Sequence, residues 1–355
     1  MFGRKKKSSV IKVEVAPDLK IEEGKLVEIK DEMILARLNQ AVPEIARALS
    51  AGAKTVAAVQ GPAYRCVLPA GATKVATGAM KGLQTGETIL GAASLTFSVA
   101  ALIVGQKFMA DISKRLAKLD GELRAVADFQ NNEYKSRVEA LILRVTGVIS
   151  YRSELMKNDS VRQRALMSLD NAESECMQLL GQATETINGY TQTRVSDFDR
   201  YCAVVKELAK WLDYQNKLIS VLYHISELKY ALNFGAVSRD YCASSFRVCL
   251  ANVAKSQKCL KKWHGEEIGK LDIDTSALKR RRRGADAALH FLPGLFKKDC
   301  KYRKLSEETA NLIETQRACD ITDYKPLGRS FDDDVEIFVK DGKVYYLESA
   351  SSEES

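Results

Sequence analysis

Proline, histidine and tryptophan are scarce in this chain of 355 residues, which holds 6, 3 and 2 of them. The histidines are His224, His264 and His290, and no CxxC or compact Cys/His cluster accompanies them. Cys259 and His264 stand five apart, and zinc spacing would need a second pair. The sequence therefore predicts no metal and no cofactor. Nucleotide and hydrolase signatures are missing as well: no GxGxxG follows a strand, and GxxxxGK[ST], GxSxG and HExxH do not occur. An enzyme is not expected. Long hydrophobic runs are lacking except for one, and the mean hydropathy is −0.20, which excludes a polytopic membrane protein. At 28% charged and 46% hydrophobic residues, wholesale disorder and fibrous repeats are excluded too.

Cysteine is not scarce. The eight residues fall mostly within helical apolar patterns, where a free thiol acts as a small hydrophobe, so a reducing compartment is expected. After Arg4-Lys5-Lys6-Lys7, the stretch Ser8-Ser9-Val10-Ile11-Lys12-Val13 is too short and too charged for a signal peptide. The expected location is the cytoplasm for the soluble form and a membrane for the activated one, with non-classical export left open.

The prolines are placed as informatively as they are few. Between Pro69 and Pro293 there is none, and proline is the strongest helix breaker. From Phe108 the apolar series Ile112, Leu116, Leu119, Leu123, Val126, Phe129, Val138, Leu141, Val145 and Val148 keeps helical period, with Gly121 and Gly147 as possible bends. A turn at Lys157-Asn158-Asp159-Ser160 is followed by a helix to about Gly189, capped by Asp159 or Ser160. Another helix starts at Ser196-Asp197 and stops near Gly235, and a third runs from Ser238 to Trp263, with His264-Gly265 beyond. These patterns predict a mainly α fold: an elongated antiparallel bundle of four or five long helices, over 73–265.

Small β elements flank the bundle. Val10 to Val15 alternates like a strand, and Tyr64 to Leu68 is its candidate partner within an α+β segment 1–72. Asp31 to Ser50 reads as a short helix between them. Val335 to Val339 and Lys343 to Leu347 flank Asp341-Gly342, a strong hairpin signal, and an acidic tail completes segment 331–355. Segment 266–330 reads as basic and apolar, and helical.

Two features bear on function. Thr88 to Gln106 is a run of about 19 uncharged residues, enough to cross a bilayer core, with a mean hydropathy of roughly 1.7. Ile89, Leu90, Leu95, Phe97, Val99, Leu102, Ile103 and Val104 are its lipid-facing candidates. Upstream, Gly78, Gly82 and Gly86 recur every four residues, a strip that permits close helix packing. The second feature is Lys279-Arg280-Arg281-Arg282-Arg283, which precedes the apolar stretch Ala287 to Phe296 and then Lys297, Lys298, Lys301, Arg303 and Lys304. Basic clusters of this kind rest on anionic headgroups, or on the phosphates of nucleic acid. No helix-turn-helix, RNA-recognition or zinc signature supports nucleic acid.

This layout resembles the α-helical pore-forming toxins of the haemolysin BL, cytolysin A and xenorhabdolysin type, over about residues 70–265. The resemblance implies a long-helix bundle that masks one apolar stretch and later inserts it. The eight cysteines and the terminal strands depart from that pattern. The expected function is a conditionally membrane-inserting protein, a pore former or membrane-disrupting effector that meets an anionic membrane and forms a homo- or hetero-oligomer when activated. The alternative is a cytoplasmic helical scaffold for protein partners, in which Thr88–Gln106 stays buried permanently.

Overall fold

The computed structural model describes residues 13–16, 26–41, 63–68, 92–124, 132–234, 236–282, 301–319, 324, 335–340 and 343–347. These are mostly helical, as expected, with small antiparallel strands at both ends. Strands β1 (Val13–Ala16) and β2 (Leu26–Glu28), helix α1 (Glu32–Ala41) and strand β3 (Ala63–Leu68) come first. The long helices are α2 (Ala92–Arg124), α3 (Asn132–Ser150), α5 (Asp159–Gln192), α6 (Phe198–Leu232) and α8 (Ser244–Leu271). Short helices α4 (Arg152–Lys157) and α7 (Arg239–Cys242) sit in the connections. Strands β4 (Ile273–Asp274), β5 (Lys279–Arg281) and β6 (Tyr302–Lys304), helix α9 (Glu307–Ala318) and strands β7 (Val335–Lys340) and β8 (Lys343–Leu347) follow.

Several boundaries differ from the sequence reading. The cap of α5 is Asn158, not Asp159 or Ser160: its Oδ1 accepts from the N–H groups of Ser160 and Val161, at 3.0 and 3.3 Å. An Asn one residue earlier satisfies the same orphan donors. Asp197 caps α6 as expected, accepting from the Arg200 N–H at 2.9 Å. Of the apolar series begun at Phe108, Val126 and Phe129 lie outside the described residues, while Phe108 to Leu123 lies in α2 and Val138 to Val148 in a second helix, α3. Gly121 and Gly147 lie inside them without ending either. Helix α8 continues through His264 and Gly265 to Leu271, because Leu260, Trp263, His264, Glu267 and Leu271 keep one face buried. It stops at Asp272, whose φ of 51° is left-handed, a conformation that Asp tolerates better than most residues. Gly235 and residues 42–50 lie outside the described residues.

The core is built around α6. Its second half, Lys217 to Leu232, is buried on nearly every side, and its charged residues Lys217, Glu227 and Lys229 are all in ion pairs. Helix α5 lies antiparallel to it, and Lys229 of α6 reaches Asp170 and Glu173 of α5 at 2.7 and 2.9 Å. Helix α9 docks on the other end through a buried chain of hydrogen bonds. Gln316 Nε2 donates to the Val205 carbonyl at 2.7 Å, which leaves Gln316 Oε1 as acceptor for His264 Nε2–H at 3.0 Å. His264 Nδ1 then accepts from the Tyr201 hydroxyl at 2.8 Å, so the network assigns a single neutral tautomer.

The two chain ends meet in one five-stranded antiparallel sheet, in the order β1-β3-β7-β8-β2. The expected pairing of β1 with β3 and the expected β7–β8 hairpin are both present. Beyond the expectation, β3 pairs with β7, from Tyr64↔Val339 to Leu68↔Val335. Among its described side chains Val335, Ile337, Phe338, Val339 and Val344 are buried. Helix α1 links this end to the bundle, where Gln106 of α2 donates to Asp31 Oδ2 at 3.1 Å.

Candidate functional site

Helix α2 carries the first set of predicted residues. Leu102, Ile103 and Val104 are buried in the bundle core, at 4%, 4% and 7% exposure. Their neighbours one turn and more along, Phe108, Met109, Ile112 and Leu116, are buried with them. Leu95, Phe97 and Val99 lie in the same helix. Ile89, Leu90, Gly78, Gly82 and Gly86 lie outside the described residues. Among the described residues no helix is long and apolar enough to cross a membrane.

Polar contacts fix α2 from three sides. Arg239 of α7 places its guanidinium over the rings of Phe108 and Tyr230, 5.4 and 4.6 Å from their centroids. The same Arg239 is 3.4 Å from the carboxylate of Glu227, which is 2% exposed. At the far end Lys217 of α6 donates to the Glu122 carbonyl at 3.1 Å, one of the carbonyls a helix terminus leaves open, and pairs with Asp213 at 2.6 Å. Asp31 holds Gln106 from the α1 side. A cation stacked between two rings and bound to a buried carboxylate is a specific lock, and composition gives no sign of it.

The second predicted set lies in the small sheet β4-β5-β6. The sequence reading made segment 266–330 helical; here Lys279, Arg280 and Arg281 form β5 instead, with Arg282 just beyond it. Arg283 lies outside the described residues. The turn Asp274–Leu278 explains the strand: Asp274 Oδ1 accepts from the Ser276 hydroxyl and the Ala277 N–H, at 2.7 and 2.9 Å, which reverses the chain and pairs β4 with β5. Those two hydrogen bonds also hold the Asp274 carboxyl below its ordinary range, the Ser276 bond foremost.

The pairing of β5 with β6 has an unusual register. Lys279 stands opposite Lys304, Arg280 opposite Arg303, and Arg281 opposite Tyr302. Residues directly opposite share a face, so like charges meet twice, once on each side of the ribbon. One side turns to the bundle, where Arg280 lies over the Phe198 ring at 4.2 Å. The other carries Lys279, Arg281, Tyr302 and Lys304, with Lys279 over the Tyr302 ring at 5.2 Å. Among the described residues neutralisation is weak, because Asp272 and Asp274 reach Arg281 and Lys279 only at 3.8 Å each. The sequence reading had placed Lys301, Arg303 and Lys304 in a separate downstream cluster. The structure joins them to Lys279–Arg282, which strands of three residues are too short to foretell.

Among the described residues no group of three His, Cys, Asp or Glu is placed to hold a metal ion. Comparison with protein-family models, curated proteins and solved structures gives no match for this chain.

Proposed function

We propose that this chain is a helical scaffold that docks on an anionic surface through the β5–β6 ribbon, with the lipid headgroups of a membrane as that surface. The observation that supports the reading is the register that sets Lys279 against Lys304 on the outward face, beside Arg281. Like charges directly opposite disfavour the ribbon on its own, and a bound anion between them reverses the sign of that interaction. Each basic side chain near an anionic membrane contributes about 1 kcal/mol, so several acting together suffice for reversible attachment. Helix α2 stays in the core in this reading, since leaving it would uncover Leu102 to Leu116 and break the Arg239 lock.

Flotation with phosphatidylcholine vesicles, with and without phosphatidylserine, tests the proposal. Binding should require phosphatidylserine, fall as salt is raised, and be lost in Arg281→Glu/Lys304→Glu. Equal binding to neutral vesicles, or none to either, defeats it.

A second reading is favoured by the borderline hydropathy of Thr88–Gln106: after docking, α2 leaves the bundle and inserts. It predicts dye release from anionic vesicles, opposed by about 2.5–3.5 kcal/mol when Val99 becomes Asp at mid-depth. Dye release separates the two: a permanently packed α2 leaves anionic vesicles sealed after binding, whereas an inserting helix releases the dye and Val99→Asp suppresses that release.

A further inference from the structure

Helices α5 and α8 border a groove of about 800 Å³. They run in the same direction, since both lie antiparallel to α6, and Ser256 of α8 donates to Asn188 of α5 at 2.7 Å. Small side chains keep the groove open, among them Gly181, Thr184, Asn252 and Cys259. At its floor Trp263 is 5% exposed, and its Nε1–H has no acceptor among the described residues. Met177 and Val248, on opposite rims, are apolar and yet 36% and 61% exposed. Glu185 of α5 and Lys255 of α8 also line the groove, and neither is in an ion pair among the described residues.

We propose that this groove is a self-association surface, occupied by a second copy of the chain about a two-fold axis running along it. Such an axis sets α5 of one protomer against α8 of its mate and α8 against α5, closing a four-helix layer. The rise of 1.5 Å per residue decides which residues meet. Taking Asn188 and Ser256 as level, Met177 lies about 16 Å and Val248 about 12 Å toward the N-terminal end, so each exposed apolar residue meets the other type on the mate. Glu185 and Lys255 lie about 4.5 and 1.5 Å from that level, so each copy's carboxylate meets the other's ammonium. Every complementary pair occurs twice, as an isologous interface requires. The face is about 27 Å long and two helices wide, roughly 1,100 Å² buried in all, at the low end of specific interfaces. The dimer is therefore weak and concentration-dependent. The inference is independent of the ribbon, since no residue lining the groove belongs to β5 or β6.

Sedimentation velocity on the full chain, over a range of concentration and salt, tests it. A monomer–dimer equilibrium weakened by salt is expected. Lys255→Glu and Glu185→Lys should each weaken association about tenfold, and the double exchange should restore it, because the pair is reversed rather than removed. Val248→Asp, at a solvent-facing position, should keep the helical circular dichroism and abolish the dimer. A chain that is monomeric at every concentration overturns the proposal. So does a dimer indifferent to all three substitutions.

Discussion

The guanidinium of Arg239 lies 5.4 Å above the ring of Phe108, and so ties the turn after α6 to the middle of α2. Its charge is matched by Glu227, which is 2% exposed. Arg239→Met keeps much of the stacked volume and strips the carboxylate of this cation. The expected loss is about 3 kcal/mol in chemical denaturation, the usual cost of breaking a buried pair from one side. Adding Glu227→Gln should recover a good part of it. Additive losses in the double variant would show that the pair is not coupled.

Acid should destabilise the fold well before its carboxylates titrate. Burial holds His224 and His264 down at about 4, against an ordinary value of 6.5. Both are neutral in the fold, and the unfolded chain takes up their protons first. Their contribution is complete above pH 6.5 and is lost as pH falls toward 4, roughly 2 kcal/mol each by pH 5. Thermal melts between pH 7 and 5 should show this slope. His264→Gln should flatten it, since a glutamine can keep one bond of the Tyr201–Gln316 network without titrating. An unchanged slope in that variant contradicts the assignment.

Three glycines interrupt nothing and support nothing. Gly121, Gly147 and Gly265 lie in α2, α3 and α8, and a Cβ built on any of them meets no atom within 4 Å. Alanine at each position should stabilise the protein by about 0.8–1.0 kcal/mol, through the lower backbone entropy of the unfolded chain. Urea midpoints of the single variants check the figure, and a loss of stability at any of the three would reveal a contact now unseen.

The helices were legible because period and punctuation agree: Asp197 starts α6, and proline is missing throughout. The hairpin was legible from Asp341-Gly342 between two alternating runs. What escaped depends on pairing at a distance. Leu26–Glu28 is too short to alternate, and it becomes a strand only because β8 offers an edge to Leu26, Val27 and Glu28. The ribbon escaped for the same reason, so its basic residues were read as two clusters along a helical segment rather than as facing rows. For α2, hydropathy marks Leu102 to Val104 as apolar but cannot tell a core from a membrane. The burial of those residues against α1, α3 and α6 is information that only the packed structure holds.

Lys304 offers a way to separate stability from binding. It stands opposite Lys279, and a bound anion would be favoured by both. Lys304→Glu turns the pair into one of opposite charge, which should stabilise the ribbon by about 0.2–1 kcal/mol. The same change removes two units of positive charge from the outward face, so attachment to phosphatidylserine vesicles should weaken and its dependence on salt should become shallower. A surface kept only for packing would gain stability and lose nothing else. A rise in melting temperature together with a fall in vesicle binding is the expected result. A variant that melts lower, or binds anionic vesicles as well as the parent does, would mean that the facing lysines are not held in place for an anion.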